Sequence, residues 1–313
     1  MNASRYSIHL SLIGMAALWG ASWPLGKVVA QAMPPLAASS LRFILASLVL
    51  VVWLYRSGRM KGLLALNIRQ LVGMGCASTV GVLGYSVFFL LSLKSLPSGK
   101  AAMVVALNPV LTMFFAVLLF RESVNWVMGT GVVLAVTGAL YALTDGSLNS
   151  LQPGQSGMGE LLLLGCAGCW VAYTLIGRMV LATVDSLTTT TVTSAIGAVL
   201  LFISSMVLEG PAAWKGLLDA PAGAWLSIVA LALGATAAAY AWYLNGVKVL
   251  GAGSAAAYMS LVPLFGILFS SLWLGESLTV SLLSGAALAI SGMLLMNLGR
   301  LRMAHGSDRP PVN

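Results

Sequence analysis

Apolar residues run in long stretches along this chain, interrupted at short intervals by basic residues or by links containing Gly and Pro. Ten such stretches can be traced, over about residues 8–31, 36–55, 70–92, 99–120, 124–143, 160–181, 186–208, 223–245, 253–274 and 278–298. Each is long enough to cross ~30 Å of hydrocarbon as a helix. A spanning β-strand would alternate apolar with polar positions. Val110 to Phe120 is apolar at every position but Thr112, so helices are predicted and not a closed barrel. The fold class predicted is an all-α integral membrane protein of ten transmembrane helices. Ala30-Gln31-Ala32 resembles a signal-peptidase site, but the run before it exceeds the ~7–15 apolar residues of a cleaved signal. It is read as a retained helix.

Composition narrows the class further. Hydrophobic residues make up 59% of the 313 and charged residues 8%, too few charges to clothe a soluble globule. The net charge of +8 does not suggest nucleic acid, because the basic residues sit at the ends of apolar runs instead of forming a patch. With the N-terminus in the cytoplasm, the inside set is Arg5, Arg56, Arg59, Lys61, Arg69, Arg121, Arg178, Lys248, Arg300, Arg302 and Arg309. The outside set is Lys27, Lys94, Lys100 and Lys215, and Arg42 lies within a helix. This bias predicts that both termini are cytoplasmic. Cys76, Cys166 and Cys169 all fall in apolar segments; no second pair or nearby His makes Cys166-x-x-Cys169 a metal or redox site.

The two halves of the chain repeat each other. Lys94 to Ser123 aligns without a gap on Lys248 to Ser277, with Lys94, Leu96, Gly99, Ala101, Ala102, Leu107, Pro109, Phe115, Leu118, Glu122 and Ser123 all recurring. The same offset carries Gly131, Ala135 and Gly138 onto Gly285, Ala289 and Gly292. Earlier in each half, Trp19, Gly26 and Lys27 align with Trp170, Gly177 and Arg178. The predicted organisation is a first five-helix repeat over 1–145, a polar linker over 146–159, a second repeat over 160–300 and a tail over 301–313. Five is odd, so the second unit must enter the membrane upside down. Inverted repeats are a transporter architecture, in which similar halves exchange roles as inner and outer gate.

The two units, the Trp-Gly-x-x-x-Pro pattern from Trp19 to Pro24, and the Pro helices ending in Glu-Ser (Pro109 to Ser123, Pro263 to Ser277) resemble the EamA family of the drug/metabolite transporter superfamily. The second unit departs from the pattern, with Val171 and Leu175 where the first has Gly20 and Pro24. The resemblance implies a bacterial inner membrane, and export of amino acids, other metabolites or drugs.

Pro109 and Pro263 fall near the middle of the fourth and ninth helices, where each would leave unbonded the carbonyl four residues earlier, at Val105 and Met259. The kinks either line a central cavity, with the Asn108 amide beside one of them, or serve packing alone. Trp19 and Trp170 also sit near helix midpoints, away from the interfaces where membrane tryptophans collect. A midplane indole N–H needs a partner, which a cavity would supply. With Tyr85, Tyr173, Tyr240 and Tyr258 they suggest an apolar pocket holding a few polar groups; plain helix packing is the alternative for each. Arg42 either snorkels to the interface or meets an anionic group of the substrate. None of the eight acids falls in the middle third of a span. Glu122 and Glu276 stand where one helix ends and the next begins, fitting helix capping or, alternatively, proton coupling. Gly131, Ala135, Gly138 and Ala142 form a small-residue stripe suited to close helix contact, within one molecule or in a weak dimer.

The resulting expectation is an exporter of small neutral or zwitterionic metabolites such as amino acids, without cofactor or metal, working as a monomer or weak homodimer in the lipid bilayer. A multidrug or cation efflux carrier is the alternative, disfavoured by the lack of an intramembrane carboxylate. A membrane-embedded enzyme is more distant still: His9 and His305 lie near opposite ends of the chain with no intramembrane acid beside them. A channel would need a charged pore ring that is absent.

Overall fold

The computed structural model describes residues 2–121, 124–146, 157–181, 183–250, 255 and 257–307. Its long apolar helices are α1 (Asn2–Ala32), α2 (Pro35–Arg56), α3 (Ile68–Ser95), α4 (Ser98–Leu119), α5 (Trp126–Leu143), α6 (Gly157–Leu181), α7 (Ser186–Glu209), α8 (Ala222–Tyr243), α9 (Tyr258–Leu274) and α10 (Val280–Ser307). Two short helices, Met60–Leu64 and Pro211–Leu218, lie in links between them. Among the described residues nine of these helices are long and apolar enough to cross a membrane. The tenth, α9, is shorter, and residues 253 and 254 at the predicted start of its span lie outside the described residues. No strand occurs among the described residues. Outward-facing side chains such as Leu48, Val52, Phe114, Leu118 and Leu272 are exposed and apolar, the surface that lipid covers.

Helix starts are satisfied by side chains, several of them from distant parts of the chain. Asn67 and Gln70 form a reciprocal capping box at the start of α3. Asn125 caps α5, accepting from Met128 N–H at 2.9 Å while its own Nδ2 donates to Gly299 O at 2.7 Å. The start of α2 is Pro34-Pro35, which offers no capping side chain. Its free N–H groups at Leu36 and Ala37 donate instead to the Glu209 carboxylate at the end of α7, 2.9 Å each. Likewise Ser98 and Gly99, opening α4, donate their N–H groups to Glu276 beyond the end of α9, at 2.7 and 2.8 Å. Capping is therefore the role the structure displays for Glu276. Glu122, its repeat partner, lies outside the described residues.

Contacts between helix ends fall into two sets. At the end nearer the linker are the Glu209 and Glu276 caps, Lys27 Nζ donating to Leu96 O at 2.6 Å, and the Lys100–Asp145 ion pair at 2.6 Å. At the other end are Arg59–Asp185 at 3.3 Å, Gln70 with Thr183 at 3.1 Å and His9 with Tyr258 at 2.5 Å. The main apolar cluster, including Trp23, Met33, Phe89, Leu93, Met103, Leu163, Leu217, Ile228 and Ile267, lies mostly in the linker-side halves of the helices. The opposite halves hold smaller separate clusters.

In packing, α1 lies against α8 and α9, and α6 against α3 and α4; α2 pairs with α7, and α5 with α10. The α5–α10 seam consumes the small-residue stripe. A Cβ at Gly131 would stand 2.6 Å from Gly292 O, and one at Gly285 would stand 2.6 Å from Gly138 O, so the backbones touch directly. Gly20 plays the same part where α1 crosses α9, its missing Cβ directed at the backbone of Phe265 and Gly266.

A polarised aromatic cavity between the halves

Four helices depart from α geometry where they meet the centre of the bundle. The prolines account for two departures. A 3₁₀ turn at Ala102–Ala106 precedes Pro109 in α4, and another at Tyr258–Leu261 precedes Pro263 in α9. In the second of these tighter turns the carbonyl that Pro263 would leave unbonded is taken up, as Val262 N–H donates to Met259 O. The Met259 carbonyl is thus engaged by the backbone, contrary to the expectation that it stays free. The other two departures, π-helical stretches at Thr79–Gly84 in α3 and Leu231–Ala238 in α8, contain no proline. Each meets a group from another helix. At Gly81 the Tyr173 ring occupies the space a Cβ would need. In α8 the Ala235 carbonyl accepts the Trp19 indole N–H at 2.9 Å, so the midplane indole is satisfied by backbone and not by a cavity ligand.

These four stretches, together with α1, α2, α6 and α7, enclose a cavity of about 110 Å³. Among the described residues none from α5 or α10 lines it. One wall is a run of rings: Trp23 edge-on to Phe89 (5.1 Å between centroids), Phe89 stacked with Tyr85 (5.8 Å), Tyr85 against Trp170 (5.9 Å) and Trp170 against Tyr173 (6.2 Å). Opposite, Trp19 meets Tyr240 edge-to-face at 5.6 Å.

Of the residues singled out from sequence, Trp19, Arg42, Tyr85, Asn108, Trp170, Tyr173 and Tyr240 all line this cavity. Pro109 and Pro263 do not, but their neighbours Val105, Asn108, Met259 and Val262 do. Tyr258 lies elsewhere, its hydroxyl hydrogen-bonded to His9 Nδ1. Thr190, Thr193 and Ser194, which the sequence pattern did not single out, also line the cavity. A signal for them exists: Thr188 to Thr191 followed by Thr193 and Ser194 is a conspicuous hydroxyl run for a membrane span.

Arg42 sets the polarity of the site. Its Nη2 donates to Thr236 Oγ1 at 3.3 Å, and its Nε is buried without a partner. Among the described residues no carboxylate lines the cavity. The guanidinium therefore faces inward and does not snorkel to the interface. Among the described residues no three of His, Cys, Asp and Glu come together to hold a metal. Among the described carboxyls, Asp185, at the far end of the bundle and the start of α7, has a pKa moved from the ordinary value. Burial pushes the Asp185 carboxyl upward, but hydrogen bonds from the Thr188 hydroxyl (2.5 Å) and N–H (3.2 Å), with Arg59 at 3.3 Å, outweigh it and hold its pKa below the ordinary carboxylate value.

A helical membrane bundle enclosing a small aromatic cavity with a few polar groups is the build of a solute carrier. The chain belongs to the EamA-like transporter family, whose model matches residues 7–144 and again 157–298. It is 28% identical to the uncharacterized transporter YyaM of Bacillus subtilis (strain 168), covering 92% of each chain. It is also 28% identical to a probable amino-acid metabolite efflux pump of Salmonella typhimurium (strain LT2), over 93% of this chain and 95% of the relative. A probable terminal-alkyne amino-acid exporter of Streptantibioticus cattleyicolor matches at 25% over 96% and 97%. A solved crystal structure superposes with a TM-score of 0.66 at 24% identity, over 94% of this chain and 98% of its own, a likeness of fold.

Proposed function

We propose that this protein exports small metabolites bearing a carboxylate, zwitterionic amino acids foremost, across the bacterial inner membrane. The observation that carries this reading is Arg42, a cation inside a membrane-embedded aromatic cavity that no carboxylate of the described residues lines. An intramembrane charge costs of order 3 kcal/mol, and leaving it unpaired is a cost that a substrate carboxylate removes. The same cation repels positively charged drugs. Relatives named as an amino-acid metabolite efflux pump and an amino-acid exporter support the substrate class.

The architecture we infer is ten spanning helices in two inverted five-helix repeats, with α9 as the ninth span. The packing pattern supports it. Exchanging α1 with α6, α2 with α7, α3 with α8, α4 with α9 and α5 with α10 carries the α1–α8 and α1–α9 contacts onto α6–α3 and α6–α4, and returns α2–α7 and α5–α10 to themselves. The Lys and Arg bias supports cytoplasmic termini. The main apolar cluster then packs mostly in the outer half of the bundle.

Metabolite profiling of medium from cells with and without the protein identifies the exported compound. Its counterflow in proteoliposomes should fall at least about tenfold in Arg42→Gln, with normal membrane abundance. Export of a compound without an anionic group, or full activity in Arg42→Gln, overturns the reading. Reporter fusions after Gly62 and near His305 should read cytoplasm, and one near Gln152 the outside. A periplasmic C-terminus would refute the ten-helix topology.

A further inference from the structure

Six buried side-chain polar atoms have no hydrogen-bond partner among the described residues, and only two belong to residues lining the cavity. They are the Arg42 Nε, a cationic donor, and the Asn108 Oδ1, an acceptor on a side chain 7% exposed. A buried unpartnered carbonyl oxygen is destabilising unless something that enters the cavity satisfies it. The two unmet demands are opposite in sense: one calls for an anion, the other for an N–H donor. Together they describe the two ends of a zwitterion.

Comparison of the halves sharpens the assignment. The residue related to Asn108 by the repeat is Val262, which lines the same cavity. The fold thus accepts an apolar side chain at this position of a proline-kinked helix, and the amide is not required by the kink. An Asn placed where the sister helix has Val breaks the symmetry of the cavity and gives it one acceptor pole. Asn108 stands two residues beyond the 3₁₀ turn of α4, and its side-chain amide brings an unpartnered acceptor to the cavity lining. Its terminal torsion is broad and twofold, allowing the oxygen to swing toward a ligand.

We infer that Asn108 is the specificity residue for the substrate's amine: its Oδ1 accepts from the ammonium while Arg42 holds the carboxylate. The cavity is therefore selective for amino-carboxylates over the same carboxylic acids lacking the amine. This inference rests on the carboxylate reading of Arg42, and the experiment separates the two.

Purified protein is presented with a panel of L-amino acids, each beside its desamino carboxylic acid, and affinities are measured by titration calorimetry. Wild type should bind at least one amino acid about 10- to 100-fold more tightly than its desamino partner, the range of a hydrogen bond to a charged group. In Asn108→Val that ratio should collapse toward one, with affinity for the desamino acid retained. Asn108→Asp, which keeps an acceptor, should preserve the preference for the amine. A purely structural role would weaken both ligands in parallel and leave the ratio intact, and that outcome overturns the inference. Equal wild-type affinities overturn it as well. If neither class binds and Arg42→Gln alters nothing, the carboxylate reading falls, and this inference falls with it.

Discussion

Replacing Gly131 by Ala adds one methyl group to the α5–α10 seam, and the structure allows its cost to be worked out. The new Cβ would lie 2.6 Å from Gly292 O and 2.7 Å from Met296 N, where ordinary contact begins at 3.4 Å, a shortfall of 0.8 Å against Gly292 O (3.4 against 2.6). Both atoms are backbone, so no side chain can turn aside; one helix must move away from the other. Overpacking of this kind costs about 1–3 kcal/mol. Gly→Ala within a helix also gains up to ~1 kcal/mol of propensity, which obscures the overlap if the variant is compared only with wild type. Gly129 supplies the control: it sits two residues away on the same helix, and nothing lies within 4 Å of its Cβ position. Both substitutions share the propensity gain, so their difference isolates the overlap. At roughly 2–4 °C per kcal/mol, Gly131→Ala should melt several degrees below Gly129→Ala in detergent. Equal melting temperatures, or a higher one for Gly131→Ala, would falsify the backbone-contact account of the seam.

Pro109→Ala and Pro263→Ala each restore an N–H that can bond four residues back, converting the preceding 3₁₀ turn to α-helix and shifting Val105 and Asn108, or Met259 and Val262, in the cavity wall. Flux in liposomes should fall while membrane abundance stays normal; unchanged flux in both variants makes the prolines packing features. Asp185 has a folded pKa below its unfolded value, so its contribution to stability is complete above the ordinary carboxylate pKa and is lost as pH falls through the lower, folded one. Asp185→Asn should flatten that acid limb of the melting profile; an unchanged limb rules the pair out as its source. With no carboxylate lining the cavity among the described residues and Glu276 held by Ser98 and Gly99, a pH gradient across liposomes should not concentrate substrate. Proton-driven accumulation abolished in Glu276→Gln would overturn that expectation.

Properties that belong to single segments are legible in the sequence. Hydrophobic runs, basic ends and the 154-residue repeat place the spans, because the bilayer acts on each helix separately and its thickness sets the length. Pro109 and Pro263 mark helix breaks since a missing N–H acts locally. Arg42 stands out as a lone charge within a span, and the glycine stripe of α5 announces a close contact without naming its partner. What the sequence alone does not supply is which groups meet across the bundle. The Trp19 indole finds a carbonyl 216 residues away, and Glu276 bonds Ser98 across 178. The π-helical stretches of α3 and α8 carry no proline to mark them, and the groups they meet, a ring from α6 and an indole from α1, come from distant parts of the chain. Tyr258 and Tyr240 are alike as tyrosines within predicted spans, yet Tyr240 faces the cavity and Tyr258 turns to His9. Hydropathy averages over a helix and is blind to its rotation. Only packing of the two halves against each other decides which stripe of each helix faces lipid, which faces protein, and which is left to line the space between.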